Sequence, residues 1–189
     1  MFKFLPMLFF IFSCQSAHKI NLDHWPKPER SITLKSQDIV FSLKDLNQTS
    51  KASVFIFWQT GCPCVKRYQE RVNDLFKNYG PKGVSFFYVS SNQNEAFLDA
   101  QKEYQSRKEP LMLLRDDEGR FAKALDVKGT PSVALFDQKG EVIYLGWIDN
   151  ERKPGENGRA PYLENALNEY LNEQPVSVKT SPMFGCPIR

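Results

Sequence analysis

Cys62, Pro63 and Cys64 follow directly on the turn-forming Gly61, and Cys186 lies near the other end of the chain. A cysteine does chemistry as its thiolate, which attacks disulfides and binds soft metals. At a helix start that anion is favoured, because backbone N–H groups without intrahelical partners and the helix dipole face it. Val65, Tyr68, Val72, Leu75, Phe76 and Tyr79 recur at helical spacing until Gly80-Pro81, so a helix is predicted to open at Cys62. Pro63 suits its first turn, where a missing N–H costs nothing. Lys66 and Arg67 add positive charge one turn in, or simply face solvent. A Gly-Cys-Pro-Cys turn is a poor place to bury thiols, so both cysteines are expected to be reachable and not small buried hydrophobes.

Two pairings are open to Cys62. A bond to Cys64 closes a ring over a single proline, which stores strain, so that disulfide is expected to be a good oxidant or not to form. A bond to Cys186 needs the tail from Pro175 to reach the helix start, and a dozen residues at roughly 3.3 Å each suffice for that. Phe184, Pro187 and Ile188 around Cys186 suggest docking of the tail. Cys62→Ser is expected to abolish exchange and Cys64→Ser to trap a mixed disulfide.

The elements that must position these sulfurs are read from hydrophobic pattern. Ser53–Trp58 is a continuous apolar run of the kind buried on both faces of a sheet, and Val84–Val89 is a second. Glu95–Arg107 reads as a charged helix, Leu111–Leu114 as a short strand and Gly119–Asp126 as a helical turn. Ser132–Phe136 and Glu141–Leu145 flank Asp137-Gln-Lys-Gly140 as a hairpin, and Pro161 to Leu171 closes the domain as a helix. Ile39–Leu43 is a possible edge strand. The result is an α/β architecture: a three-layer sandwich with a central mixed β-sheet flanked by helices.

The net charge of +3 is spread without a basic block, which gives no footprint for nucleic acid. Hydrophobic residues at 41% and charged residues at 25% are ordinary for a folded domain, and 189 residues suit one core. The only histidines, His18 and His24, fall in the N-terminal stretch with Trp25, so histidine-based hydrolysis or metal binding lacks material. Lys3 and the apolar run Phe4–Phe12 form an export signal too short to span a bilayer. Ile11-Phe12-Ser13-Cys14 resembles a bacterial lipoprotein signal, which implies cleavage after residue 13 and lipidation of Cys14. An ordinary secretory signal cut near Ser16-Ala17, or an apolar start that is never cut, is the alternative. The expected organisation is a signal at 1–13, a polar tether at 14–34, the folded domain at 35–174 and a tail at 175–189. A lipid anchor would hold the domain on a membrane of the bacterial cell envelope, facing the periplasm or the exterior. With Cys14 occupied, Cys62, Cys64 and Cys186 remain, and an odd number cannot pair off internally.

Phe57-Trp58-Gln-Thr-Gly-Cys62 resembles the strand-to-helix entry of thioredoxin-like proteins, and Val127-Lys-Gly-Thr130-Pro131 resembles their cis-proline loop. The Cys-Pro-Cys-Val run, Tyr144–Asp149 and the Gly185-Cys186-Pro-Ile188 ending are similar to bacterial redoxin-domain proteins related to the AhpC/TSA group. The resemblance covers about Ile39 to Leu171. It implies a thioredoxin-like fold, catalytic roles for Cys62, Cys64 and Cys186, and substrate contacts from Trp58, Thr130 and Pro131. One residue between the cysteines, where such sites usually have two, departs from the pattern. Ile56 stands where thioredoxins carry a buried acid, and the Pro-x-x-x-Thr-x-x-Cys pattern of peroxiredoxins is absent, with Phe55 and Gln59 at its first and Thr positions.

The leading expectation is therefore a monomeric, membrane-tethered thiol-disulfide oxidoreductase, without cofactor or peroxidase activity, working on protein thiols and disulfides with an unidentified redox partner. One alternative is a Cu(I)-binding module using Cys62, Cys64 and Cys186 as thiolate ligands. Another is a redox-inactive interaction domain binding a partner through the Asp149–Arg159 loop.

Overall fold

The computed structural model describes residues 26–29, 31–36, 39–150 and 160–189. The expected signal segment, Cys14, His18, His24, Trp25 and nearly all of the Asp149–Arg159 loop lie outside these residues. The apolar run around Phe55 forms β3 (Ala52–Trp58), every residue of which is buried. It pairs in parallel with β4 (Val84–Ser90) and antiparallel with β7 (Val133–Asp137), which places it inside the sheet. β5 (Met112–Arg115) continues in parallel beyond β4, and β8 (Val142–Gly146) closes the hairpin with β7. β1 (Thr33–Ser36) and β2 (Ile39–Ser42) extend the other edge, giving a seven-stranded mixed sheet in the order β2-β1-β5-β4-β3-β7-β8.

The helices are α1 (Leu43–Gln48), α2 (Pro63–Tyr79), α3 (Phe97–Ser106), α4 (Arg120–Ala124) and α5 (Tyr162–Leu171). They flank the sheet as the alternation of strand and helix patterns requires. Among the described residues no helix is long and apolar enough to cross a membrane. The core centres on Phe55, whose ring stacks on Phe87 and meets Phe121 and Phe136 edge-on at 5.1–5.3 Å. Each such ring contributes about 1.5–3 kcal/mol through burial, which makes β3 a rigid base for the turn at its C-terminal end.

Two features differ from the sequence reading. β1 begins at Thr33 with Leu34 fully buried, so order starts before the expected domain boundary at residue 35. Ile39–Leu43 splits into β2 and the start of α1, because Ser42 caps that helix. Its hydroxyl accepts from the Asp45 amide at 3.1 Å and the Asp45 carboxylate accepts from the Ser42 amide. The tail docks, as Phe184, Pro187 and Ile188 suggest: β9 (Cys186–Pro187) pairs antiparallel with β6 (Gly129–Thr130) in a second, two-stranded sheet.

Candidate active site

β3 ends at Trp58, and the chain turns through Gln59, Thr60 and Gly61 into α2. Gly61 has φ +66, a left-handed conformation that a side-chain-bearing residue adopts at a cost. Two carboxylates hold this turn by its backbone: Glu95 accepts from the Thr60 amide at 3.1 Å and Glu103 from the Gly61 amide at 2.9 Å. Burial raises the Glu95 carboxyl above the usual glutamate range, against the lowering effect of the Thr60 hydrogen bond. Arg107 pairs with Glu103 and lies 5.6 Å above the Trp58 ring, joining both clamps to β3.

Cys62 is the N-cap of α2 and Pro63 opens its first turn, so the sulfur sits at the positive end of the helix dipole. Lys66 and Arg67 face solvent. Cys62 is disulfide-bonded to Cys186, with the two Cα atoms 6.1 Å apart. Of the two pairings open to Cys62, the structure thus shows the one made by the tail. The Sγ atoms of Cys62, Cys64 and Cys186 all lie within 4.8 Å of one another. Thr130 Oγ1 donates to Cys62 Sγ at 3.4 Å, and the Thr130 carbonyl oxygen is 3.5 Å from the same sulfur. The Thr130–Pro131 peptide bond is cis.

The expectation of reachable thiols fails in this state. Cys62 is 2% exposed and Cys64 1% exposed. At Cys62 the tail covers the sulfur through the bond to Cys186, and Cys64 is buried within α2. The Leu145 amide donates to the Lys179 carbonyl, and Ser181 Oγ accepts from the Trp147 amide at 2.8 Å. Met183 is buried, and the Phe184 ring meets Trp147 edge-on at 5.2 Å. Trp58, expected to contact substrate, has no exposed surface, because the clamp of Arg107 above and the Tyr88 ring at 6.4 Å enclose it. It supports the turn from beneath.

Sequence reasoning missed a buried polar group behind the cysteines. The Asp149 side chain is fully buried and accepts from Tyr68 Oη at 2.8 Å and from Arg71. Burial, reinforced by this carboxylate, pushes the Tyr68 phenol well above its ordinary value. Tyr68 in turn meets Trp147 edge-on at 5.7 Å, so α2, Trp147 and the tail form one packed stack. The sequence signal was the aromatic at the second turn of α2, which reads as ordinary core. Ile56 is buried in β3 as expected, and no acid replaces it there.

The Redoxin family model matches residues 26–167. Among solved structures, an uncharacterized conserved protein from Geobacillus kaustophilus is 27% identical, with a TM-score of 0.76 over 93% of this chain and 96% of that one. A hypothetical protein from Sinorhizobium meliloti is 22% identical, with a TM-score of 0.74 over 91% and 96%. The thioredoxin domain of a thiol-disulfide oxidoreductase from Bacteroides vulgatus is 18% identical, with a TM-score of 0.57 over 75% and 93%, and it shows the thioredoxin-like fold. No functionally curated protein matches the sequence significantly.

Proposed function

Because the chain belongs to the redoxin family, we propose that it is a thiol-disulfide oxidoreductase exchanging disulfides with protein substrates through Cys62. The observation that carries this reading is the Cys62–Cys186 disulfide at the N-cap of α2, flush against Thr130. In the reduced protein the helix N-terminus favours the Cys62 thiolate, and the Thr130 hydroxyl donates to it. That thiolate attacks one sulfur of a substrate disulfide; an S–S bond forms to Cys62 and the other substrate sulfur leaves as a thiolate with the bonding pair. The Cys186 thiolate then attacks Cys62 Sγ, the Cys62–Cys186 bond forms, and the second substrate sulfur departs. The protein dithiol is oxidised and the substrate disulfide reduced by the same two electrons, and the reverse sequence oxidises a substrate. The Cys64 sulfur lies within 4.8 Å of the Cys62 and Cys186 sulfurs. Thr130 and Pro131 supply the wall on which an incoming peptide lies.

The pairing moves the expected trap from Cys64→Ser to Cys186→Ser. Reduced Cys186→Ser protein should accumulate a covalent complex through Cys62 with an insulin or ribonuclease substrate, visible by mass spectrometry, and Cys62→Ser should show no exchange. Complexes accumulating equally in both variants refute the assignment. The reading includes a lipid on Cys14 that tethers the domain to an envelope membrane; labelling with a radioactive fatty acid that persists in Cys14→Ala refutes that part. A second reading rests on the same sulfur triangle: in the reduced protein, Cys62, Cys64 and Cys186 offer thiolates to Cu(I). Stoichiometric copper after reductive purification, together with exchange no faster than free cysteine, favours it.

A further inference from the structure

The tail does more than deliver a sulfur. Thr130 is opposite Cys186 and Gly129 opposite Pro187, and beyond them the Ile188 amide donates to the Lys128 carbonyl at 2.9 Å. The Gln93 amide then donates to the Arg189 carbonyl at 2.5 Å, and the Arg189 amide to Asn92 Oδ1 at 3.3 Å. Side chains are read as well. Phe184 sits against Trp147, and Ile188 borders a hollow lined by Ala122 and Val127. Pro187 stands where no tail N–H is used. Gly185 has φ +126, and a Cβ there would fall 1.9 Å from the Thr130 carbonyl oxygen and 3.3 Å from the Trp147 ring, so the groove admits only glycine at this place.

A bond to Cys62 alone requires none of this residue-by-residue fit. Main-chain pairing with a short strand plus pockets for particular side chains is how sheets bind extended peptides. We infer that the groove formed by Lys128–Thr130, Trp147 and Gln93 is the peptide-docking site and that Phe184–Ile188 occupies it as a built-in substrate mimic. The protein's partners are then proteins whose reactive cysteine lies in an extended aromatic-Gly-Cys-Pro-aliphatic segment. This rests on the exchange function proposed above. Tail and substrate exclude each other: the oxidised form is closed, and reduction of Cys62–Cys186 frees the groove. The substrate cysteine then takes the place of Cys186, its sulfur bonding to Cys62 Sγ while its former partner leaves as a thiolate.

The test uses the reduced full-length protein and its Cys186→Ser variant. The probes are the peptide Phe-Gly-Cys-Pro-Ile, capped at both ends and activated on cysteine as a mixed disulfide with nitrothiobenzoate, and versions with Ala for Gly or Ala for Phe. Release of nitrothiobenzoate gives the rate, and dithiobis(nitrobenzoate) serves as the small reference disulfide. We expect the Gly→Ala peptide to react about tenfold more slowly and the Phe→Ala peptide about threefold more slowly than the parent. Equal rates for the three peptides beside fast reaction of the reference overturn the docking inference and leave the exchange function standing. Reaction of every probe, reference included, at the rate of free cysteine overturns both. Oxidation of the wild-type protein to disulfide-linked dimers would place a second copy's tail in the groove and overturn the built-in mimic.

Discussion

Replacing Gly185 by alanine should make the Cys62–Cys186 disulfide easier to reduce without unfolding the domain. At φ +126 the alanine pays a backbone penalty of about 1–3 kcal/mol. Its Cβ would overlap the Thr130 carbonyl oxygen at 1.9 Å, so the β6–β9 pairing must open. Each hydrogen bond lost in opening costs about 1 kcal/mol, which bounds the strain the strand will bear before it lifts away. The net loss falls near 2–3 kcal/mol, all of it in the oxidised, docked form. For a two-electron couple that corresponds to a potential about 45–65 mV more positive. The assay equilibrates the protein against graded ratios of reduced to oxidised glutathione, quenches with a maleimide and counts modified thiols by mass. Gly83→Ala is the control. Gly83 also has positive φ, at +92, but terminates the turn before β4 far along the chain from the cysteines. It should lose about 1 kcal/mol of global stability with no change in potential. A Gly185→Ala potential within about 10 mV of wild type would refute the view that strand docking sets the stability of this disulfide.

The disulfide closes a loop with sequence separation 124, and chain entropy alone assigns such a closure about 4–5 kcal/mol. Urea unfolding of oxidised against reduced protein should show a gap of that order, and a gap under about 1 kcal/mol would mean that reduction leaves no entropic trace. Arg71→Met removes a cationic partner of the buried Asp149 carboxylate and should cost about 3 kcal/mol in the same assay. A cost within about 0.5 kcal/mol would show the pair to be dispensable. Burial raises the Glu109 carboxyl, outweighing the hydrogen bond from Tyr88. The folded state therefore holds that proton to higher pH than the unfolded chain does. Stability from this group is present below the unfolded value and declines as pH rises through the folded one. Glu109→Gln should flatten that decline in thermal melts from pH 4 to about pH 7, and an unchanged slope would refute the assignment.

What could be read from the chain beforehand was what local pattern encodes. β3, α2 and the β7–β8 hairpin announce themselves by apolar runs, helical spacing and a Gly-containing turn. β1 does not, because its single buried residue, Leu34, cannot set up a period. α1 was hidden by its length, although Ser42 and Asp45 form a capping pair that could have marked its start. At the site, Cys62 was legible from its place between strand and helix, and the burial of Trp58 from its place in the apolar run; what the run did not show is that Arg107, arriving from another element, lies over the Trp58 ring. The choice between Cys64 and Cys186 depends on a tail with no periodicity of its own, whose local sign was the apolar and proline residues Phe184, Pro187 and Ile188 around the cysteine.

The burial of Cys62 looks at first like an argument against its reactivity, and the source of that burial reverses the conclusion. The segment bonded to Cys62 is also the segment that covers it, so reduction removes the covalent hold on the tail. Beneath the tail the turn stays fixed by other contacts. Glu95 and Glu103 grip the Thr60 and Gly61 amides, and Pro63 opens α2 directly behind the sulfur. None of these involves Cys186. A reduced protein with the tail lifted should therefore present a preorganised thiol at a rigid helix start. Alkylation by iodoacetamide separates the two cases: fast, selective labelling of Cys62 after reduction, against its protection before. If the reduced sulfur is labelled no faster than free cysteine at neutral pH, the clamp and the helix terminus are structural features with no bearing on exchange.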